Sequence, residues 1–242
     1  MNRRLFAAVS AGVLALSLTA CGGKDDPAPT GSASAAPTTA ASTSAAPTTA
    51  SADGEKVTTA ILDSMEVDGS KLYVLEAEGL SEMISEGAAA FENVKIEPEE
   101  CKKYIVGEMA SLNEQDAADA DMAIGMLPNA TSSVLLSKGA DFQIRGFENY
   151  AESLSKCATI SMDMGDHKLE VETKEEDAPA VEGWDEARAS VAVQQGQEMG
   201  KTLTARKGDY ILTVTLTWIP GSPAPSLDEA VDIANQVAKK LK

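Results

Sequence analysis

The sequence predicts an α+β domain, an antiparallel β-sheet with N- and C-terminal helices packed on it. Three observations predict it. Residues 202–219 alternate apolar and β-branched side chains at a period of two around Lys207, Gly208 and Asp209, the pattern of a hairpin. Residues 158–171 alternate in the same way across Gly165 and Asp166. Ser226, Leu227, Asp228 and Glu229 then form a capping box ahead of an apolar stripe at helical spacing, Leu227, Val231, Ala234, Val237 or Ala238, and Leu241.

Taken in chain order, Pro98 reads as a first-turn proline, with Glu99 and Glu100 favourable near a helix N-terminus. Tyr104, Ile105, Glu108, Met109 and Leu112 follow at helical spacing, and Cys101 falls in the first turn. Residues 131–137 and 141–147 read as strands, and residues 147–156 as a short helix leading into Cys157. Ile160, Met162 and Met164 share a strand face with Ala158, and Leu169 and Val171 continue the pattern beyond the turn. Val191 and Val193 mark a further strand. Tyr210, Leu212, Val214, Leu216 and Trp218 form an apolar face; Ile211, Thr213, Thr215, Thr217 and Ile219 form the other, and one face of the sheet is expected to be covered. Pro220, Pro223 and Pro225 end the sheet, and Lys239, Lys240 and Lys242 complement the negative end of the last helix.

Residues 1–54 lie outside this pattern. Arg3 and Arg4 precede an apolar run from Leu5 to Leu18. That run is too short to span a bilayer core of ~30 Å comfortably. Leu18, Thr19, Ala20 and Cys21 follow, then Gly22 and Gly23. This end resembles the bacterial lipoprotein signal. By that resemblance, residues 1–20 are a signal peptide cut after Ala20, and Cys21 carries a thioether-linked diacylglyceryl group. The expected location is the cell membrane, lipid-anchored and facing outside the cytoplasm. Residues 21–54 form a linker of Ala, Pro, Thr, Ser and Gly, with Pro27, Pro29, Pro37 and Pro47 and no large apolar side chain to bury. Its composition also fits O-glycosylation of a surface stalk.

Residues 55–242 then form a single extracytoplasmic domain with two remaining cysteines, Cys101 and Cys157. Outside the cytoplasm an even pair most simply forms one disulfide. The alternatives are two buried thiols or a redox pair, and the Cys-x-x-Cys spacing usual for redox work is absent.

The order of features resembles the actinobacterial extracellular sensor-domain family found on PknH-type receptor kinases and on free lipoproteins. The matching features are a helix around Val57–Val67, the Pro98–Cys101 segment, the Tyr150–Cys157 segment entering a strand, and the last strand pair followed by Ser226–Leu241. The resemblance implies an antiparallel sheet with helices on it, disulfide bonding and a ligand-binding cleft at the cell surface. Kinase members carry a second disulfide for which this chain has no cysteines, and a tryptophan where Leu154, Ser155 and Lys156 stand. Val193, Gln194, Gln195 and Gly196 replace a cysteine-containing segment of the family.

Chemistry-bearing patterns are sparse. His167 is the one imidazole, beside a turn, and reads as a solvated strand residue. Three acidic clusters, Glu97/Glu99/Glu100, Asp116/Asp119/Asp121 and Glu172/Glu175/Glu176/Asp177, lack the convergent spacing calcium requires and read as solvated faces. No catalytic set, cofactor or zinc ligand set is expected. Trp184 reads as a cap on the core, with a ligand-facing anchor as the alternative, Tyr210 and Trp218 read as core, and Met162, Met164 and Met199 as core filling or the lining of an adaptable cavity. The net charge of −18 excludes free nucleic-acid binding, because a phosphate backbone is repelled. It resides wholly in residues 55–242, with 17 basic and 35 acidic side chains.

The expected function is a non-catalytic, ligand-binding or sensor-like surface lipoprotein. Its partners are the membrane through Cys21 and a small-molecule, lipid or envelope-protein ligand; a lipid or glycolipid carrier is the alternative. Two acyl chains hold a protein to a bilayer where one does not, at about 0.8 kcal/mol per buried CH₂. Cys21→Ser is therefore expected to release the protein from membranes or to leave uncleaved precursor. Fractionation that shows unchanged processing and partition would contradict the anchor.

Overall fold

A computed structural model describes residues 56–75, 79, 83, 87, 89, 91, 94–104, 121–129, 131–165 and 167–241. The signal, Cys21 and the linker lie outside the described residues, as do Ile105, Glu108, Met109, Leu112, Asp116, Asp119 and Asp166. The described strands form a nine-stranded antiparallel sheet beside a two-stranded hairpin, so the α+β class holds.

The chain begins with α1 (Val57–Asp63), followed by β1 (Glu66–Val67) and β2 (Ser70–Lys71). The N-terminal helix stops short of Val67: Ser64 caps it, and Asp68 and Gly69 at positive φ close a hairpin in which Val67 opposes Ser70. β3 (Tyr73–Leu75) and β4 (Lys95–Glu97) are the two edge strands of the large sheet. Pro98 precedes a 3-10 turn (Glu99–Cys101) and stands as its N-cap, one place earlier than a first-turn position.

β5 (Asp121–Met126) and β6 (Ser133–Lys138) form a hairpin whose loop is tied by Asn129; its carboxamide oxygen accepts from the amides of Thr131 and Ser132 at 3.1 and 2.9 Å. Residues 141–148 form α2 (Asp141–Glu148), where the sequence suggested a strand. Phe142 and Phe147 are five residues apart and do not share a period-two face, and Asp141 sits in the first turn of the helix. After Asn149 comes α3 (Tyr150–Cys157).

The rest is a meander: β7 (Thr159–Asp163), β8 (Lys168–Glu176), β9 (Glu186–Gln194), β10 (Gln197–Lys207) and β11 (Tyr210–Thr217). The spatial order is β3-β5-β6-β11-β10-β9-β8-β7-β4. Ala158 and Met164 lie outside β7, and Met164 is 56% exposed, so it is no part of a core or cavity. Met162 is buried and Met199 packs beside it. Trp218 and Ile219 lie past the end of β11; Trp218 is half-buried, its indole donating to the Ser222 carbonyl at 3.1 Å, and is not core. α4 (Leu227–Ala238) ends the fold, with the Ser226 hydroxyl accepting from the Glu229 amide at 3.3 Å.

Opposed residues of antiparallel strands share a face. On the first face α1 and α4 cover β5, β6, β11, β10 and the start of β9. Ile61, Leu62, Ala123, Val134, Leu136, Leu203, Leu212, Val214, Leu216, Ile233 and Val237 meet there in one cluster. Trp184 caps this core, as its sequence context suggested, and donates to the Ala234 carbonyl of α4 at 3.0 Å. Asp121, taken with an acidic cluster, instead caps α1 from β5: its carboxylate accepts from the Thr58 amide at 3.2 Å and the Thr58 hydroxyl at 2.7 Å. Toward β8, β7 and β4 the first face is a charged surface, on which Lys95 and Lys168 meet Glu97 and Lys174 meets Glu172. The solvated reading of Glu97 and its neighbours fits this placement.

The second face is also covered, where the sequence suggested one covered side. α2 and α3 run along it. Cys101 and Cys157 are disulfide-bonded with their Cα atoms 5.6 Å apart, inside a cluster of Phe91, Ile96, Ile160, Met162, Val171 and Ala192. Closing a loop of this length contributes about 4 kcal/mol at most in the chain-entropy model. A separate cluster of Met122, Ile124, Leu135 and Ala140 takes in Phe142 of α2.

One irregularity sets the register of the meander. Gln197 and Glu198 of β10 oppose Gln194 and Val193, but Gly200 opposes Ala192, so Met199 is an extra residue, a β-bulge. At Gly200 a β-carbon would sit 2.6 Å from the Leu216 carbonyl oxygen of β11, so the close approach requires glycine. Gly200→Ala is expected to destabilise the fold by about 2 kcal/mol, read by denaturant unfolding. An unchanged midpoint would contradict the bulge geometry.

Candidate functional site

Register on the second face brings hydroxyl side chains into a row across the strands. Ser190 of β9 opposes Thr202 of β10, Thr202 opposes Thr215 of β11, and Thr215 opposes Ser133 of β6. At ~4.8 Å between strands the row is roughly 14 Å long. Glu175 of β8 extends it at one end, opposite Ser190, and Met126 at the other, opposite Ser133. A parallel row one step along carries Arg188, Thr204, Thr213 and Leu135. Threonine favours strands, so the local sequence builds the sheet and lines it with hydroxyls at once.

Ser133, Ser190, Thr202, Thr213 and Thr215 are all buried. The Thr215 residue is 0% exposed, and among the described residues its hydroxyl has no hydrogen-bond partner, nor does the buried Thr173 hydroxyl on β8. A buried polar group left unpaired costs about 1–3 kcal/mol. The hydroxyls of Thr131, in the β5–β6 loop, and Ser161, on the first face, are in the same state, so unpaired hydroxyls are not confined to this row, which belongs to the packed interior.

Tyr150, the first residue of α3, borders the row. Its hydroxyl donates to the Ala189 carbonyl at 3.3 Å. Burial holds this phenol above its ordinary range, with Glu175 acting in the same direction; a hydrogen bond with Ser190 and the charge of Arg188 oppose the shift. Tyr150 is therefore a neutral hydrogen-bonding group at physiological pH. Arg188 lies against both aromatic rings of the helix pair, its guanidinium 4.6 Å from the centroid of Phe147 and 5.5 Å from that of Tyr150. Its Nε and one terminal nitrogen donate to the same Glu186 oxygen at 3.2 and 3.0 Å. Arg206 holds Glu148 at the end of α2 at 3.0 Å. These contacts fasten α2 and α3 beside the row.

Where β8 leaves the sheet, an open depression of about 380 Å³ is lined by Glu175, Glu176, Asp177, Ala178, Ala187 and Arg188. Glu175 belongs to both the depression and the row. Glu176 faces the other side and meets Lys201 at 2.9 Å. The acidic run at 172–177 is thus divided: Glu172 joins the charged first face, and Glu175 and Asp177 border the depression. Among the described residues no group of three acidic, histidine or cysteine side chains could hold a metal ion. His167 is exposed just before β8, away from the row.

Comparison with known proteins gives weak structural similarity to two solved structures. One is the extracellular domain of PknH from Mycobacterium tuberculosis, at 13% identity and a TM-score of 0.35, over 61% of this chain and 76% of that one. The other is the Rv0999 ortholog from Mycobacterium smegmatis, at 15% identity and a TM-score of 0.31, over 60% and 77%. No protein-family model matches, and no curated protein matches.

The sequence pointed to the threonine-bearing face of β11 but not to Ser133, Tyr150, Thr173, Arg188, Ser190 or Thr202 as a group. Only the register assembles them. Thr215→Val keeps the shape of the side chain and removes the unpaired hydroxyl. It is expected to stabilise the free protein by about 1 kcal/mol, raising Tm by about 3 °C. A fall in Tm of that size would show that the hydroxyl is a structural bond and not a binding group.

Proposed function

We propose that this protein is a non-catalytic, ligand-binding lipoprotein of sensor-like type, held to the outer side of the cell membrane through lipidated Cys21. The observation that carries the reading is the open depression where β8 leaves the sheet, lined by Glu175, Glu176, Asp177, Ala178, Ala187 and Arg188. A neutral tyrosine and an arginine already paired with Glu186 suit recognition through hydrogen bonds. They do not form a nucleophile–base pair.

The anchor follows from the Leu18–Cys21 signal and the linker. The charge of −18 keeps the tethered domain off anionic lipid, so attachment rests on the acyl chains. Native mass spectrometry of the full-length protein purified from its own membrane tests the reading. The expected result is a polar, non-acylated species of defined mass, depleted in a Glu175→Ala, Arg188→Ala double variant of the depression. A clean apo mass would contradict a retained small ligand, and a bound molecule with long acyl chains would replace this reading with that of a lipid carrier.

A further inference from the structure

We infer that the depression at the end of β8 takes a short, flexible organic dication, an alkyl diamine whose two ammonium groups meet Glu175 and Asp177 and whose methylene stem lies on Ala178 and Ala187. This ligand class rests on the ligand-binding reading above and narrows it to one chemistry. The depression is open to solvent and holds about 380 Å³, within the ~300–1,000 Å³ usual for small-ligand sites. Glu175 and Asp177 are exposed, and neither has an ion-pair partner among the described residues. The other charges on the wall are balanced. Glu176 meets Lys201 at 2.9 Å, and Arg188 meets Glu186 at 3.0 Å. Arg188 is also held against the rings of Phe147 and Tyr150. Two negative charges remain uncompensated, and the field of a chain with net charge −18 adds to theirs.

Geometry separates a diamine from other ligands. A hard metal ion needs several oxygens converging on one point, and among the described residues no group of three acidic, histidine or cysteine side chains offers this. Glu175 and Asp177 stand two residues apart, a spacing of roughly 7 Å in extended chain, which suits two separated cationic centres better than one. Ala178 and Ala187 are half-buried and form the apolar part of the wall, where methylene groups lose contact with water. A dianion would meet a single cation there, Arg188, whose Nε and Nη2 already donate to Glu186.

Titration calorimetry on the full-length lipidated protein, in a nonionic detergent at low salt, tests the inference. The probes are unbranched diamines of increasing length, the monoamines of the same lengths, succinate, magnesium chloride and tetralysine. Affinity is expected to peak at one diamine length and to exceed that of the matching monoamine at least about 10-fold, with the gap narrowing as salt rises. Glu175→Gln and Asp177→Asn are each expected to weaken the best diamine roughly 3–10-fold. Glu170→Gln, at an exposed carboxylate of β8 outside the depression, is expected to leave it unchanged.

Affinity that is independent of diamine length, or an equal loss in Glu170→Gln, shows diffuse attraction to an acidic surface and overturns the inference. Tighter binding of succinate, magnesium or tetralysine than of the best diamine overturns it too, as does the absence of binding to every diamine. In each of these cases the copurifying species separates the two readings. If the Glu175→Ala, Arg188→Ala double variant still depletes it, the depression binds a ligand of another class. If the double variant leaves it unchanged, both readings fall.

Discussion

The second face of this sheet depends on one extra residue. Without the bulge at Met199, the β9–β10 hairpin would keep the pairing set by its Gln195–Gly196 turn, and Thr202 would oppose Ala189, a residue of the opposite face. With it, Thr202 opposes Ser190, and the hydroxyls of four strands fall into one line. A one-residue shift in a strand exchanges its faces, so the bulge places Leu203 and Ala205 in the core under α4 and Thr202 and Thr204 on the other side. Gly200 makes the bulge possible because β11 passes too close for a side chain. Core and candidate site are two consequences of the same register.

Part of this was legible from residues alone. The turn at Gly208 and Asp209 was legible, and the structure adds the register, in which Thr202 faces Thr215 and Thr204 faces Thr213. The capped final helix and the pairing of Cys101 with Cys157 were legible for similarly local reasons. What was not legible required long-range information. The bulge has no signature in the run Glu198-Met199-Gly200 beyond a glycine. Residues 141–148 carry scattered apolar side chains whose helical state is decided by packing, Phe142 into one cluster and Phe147 against Arg188. The burial of Thr213 and Thr215 contradicts the usual assignment of a threonine face to solvent; it follows from β11 lying inside the sheet with α2 packed against it. Trp218 was placed in the core by alternation, but β11 ends one residue before it.

The two faces divide the labour of the domain. On the first, burial of leucine, isoleucine and valine side chains under α1 and α4 supplies most of the stability, and the remaining surface is charged and ion-paired. On the second, two apolar clusters flank a polar centre that packs without satisfying all its hydroxyls. The ion-paired arginines and the disulfide fasten α2 and α3 to this face.

The central claim is that the depression where β8 leaves the sheet meets a ligand. A crystal structure of the protein purified from its own membrane, without exchange of what it carries, tests this most directly. The account predicts density for a non-protein molecule in the depression, within hydrogen-bond distance of Glu175 or Arg188. An empty depression would contradict it.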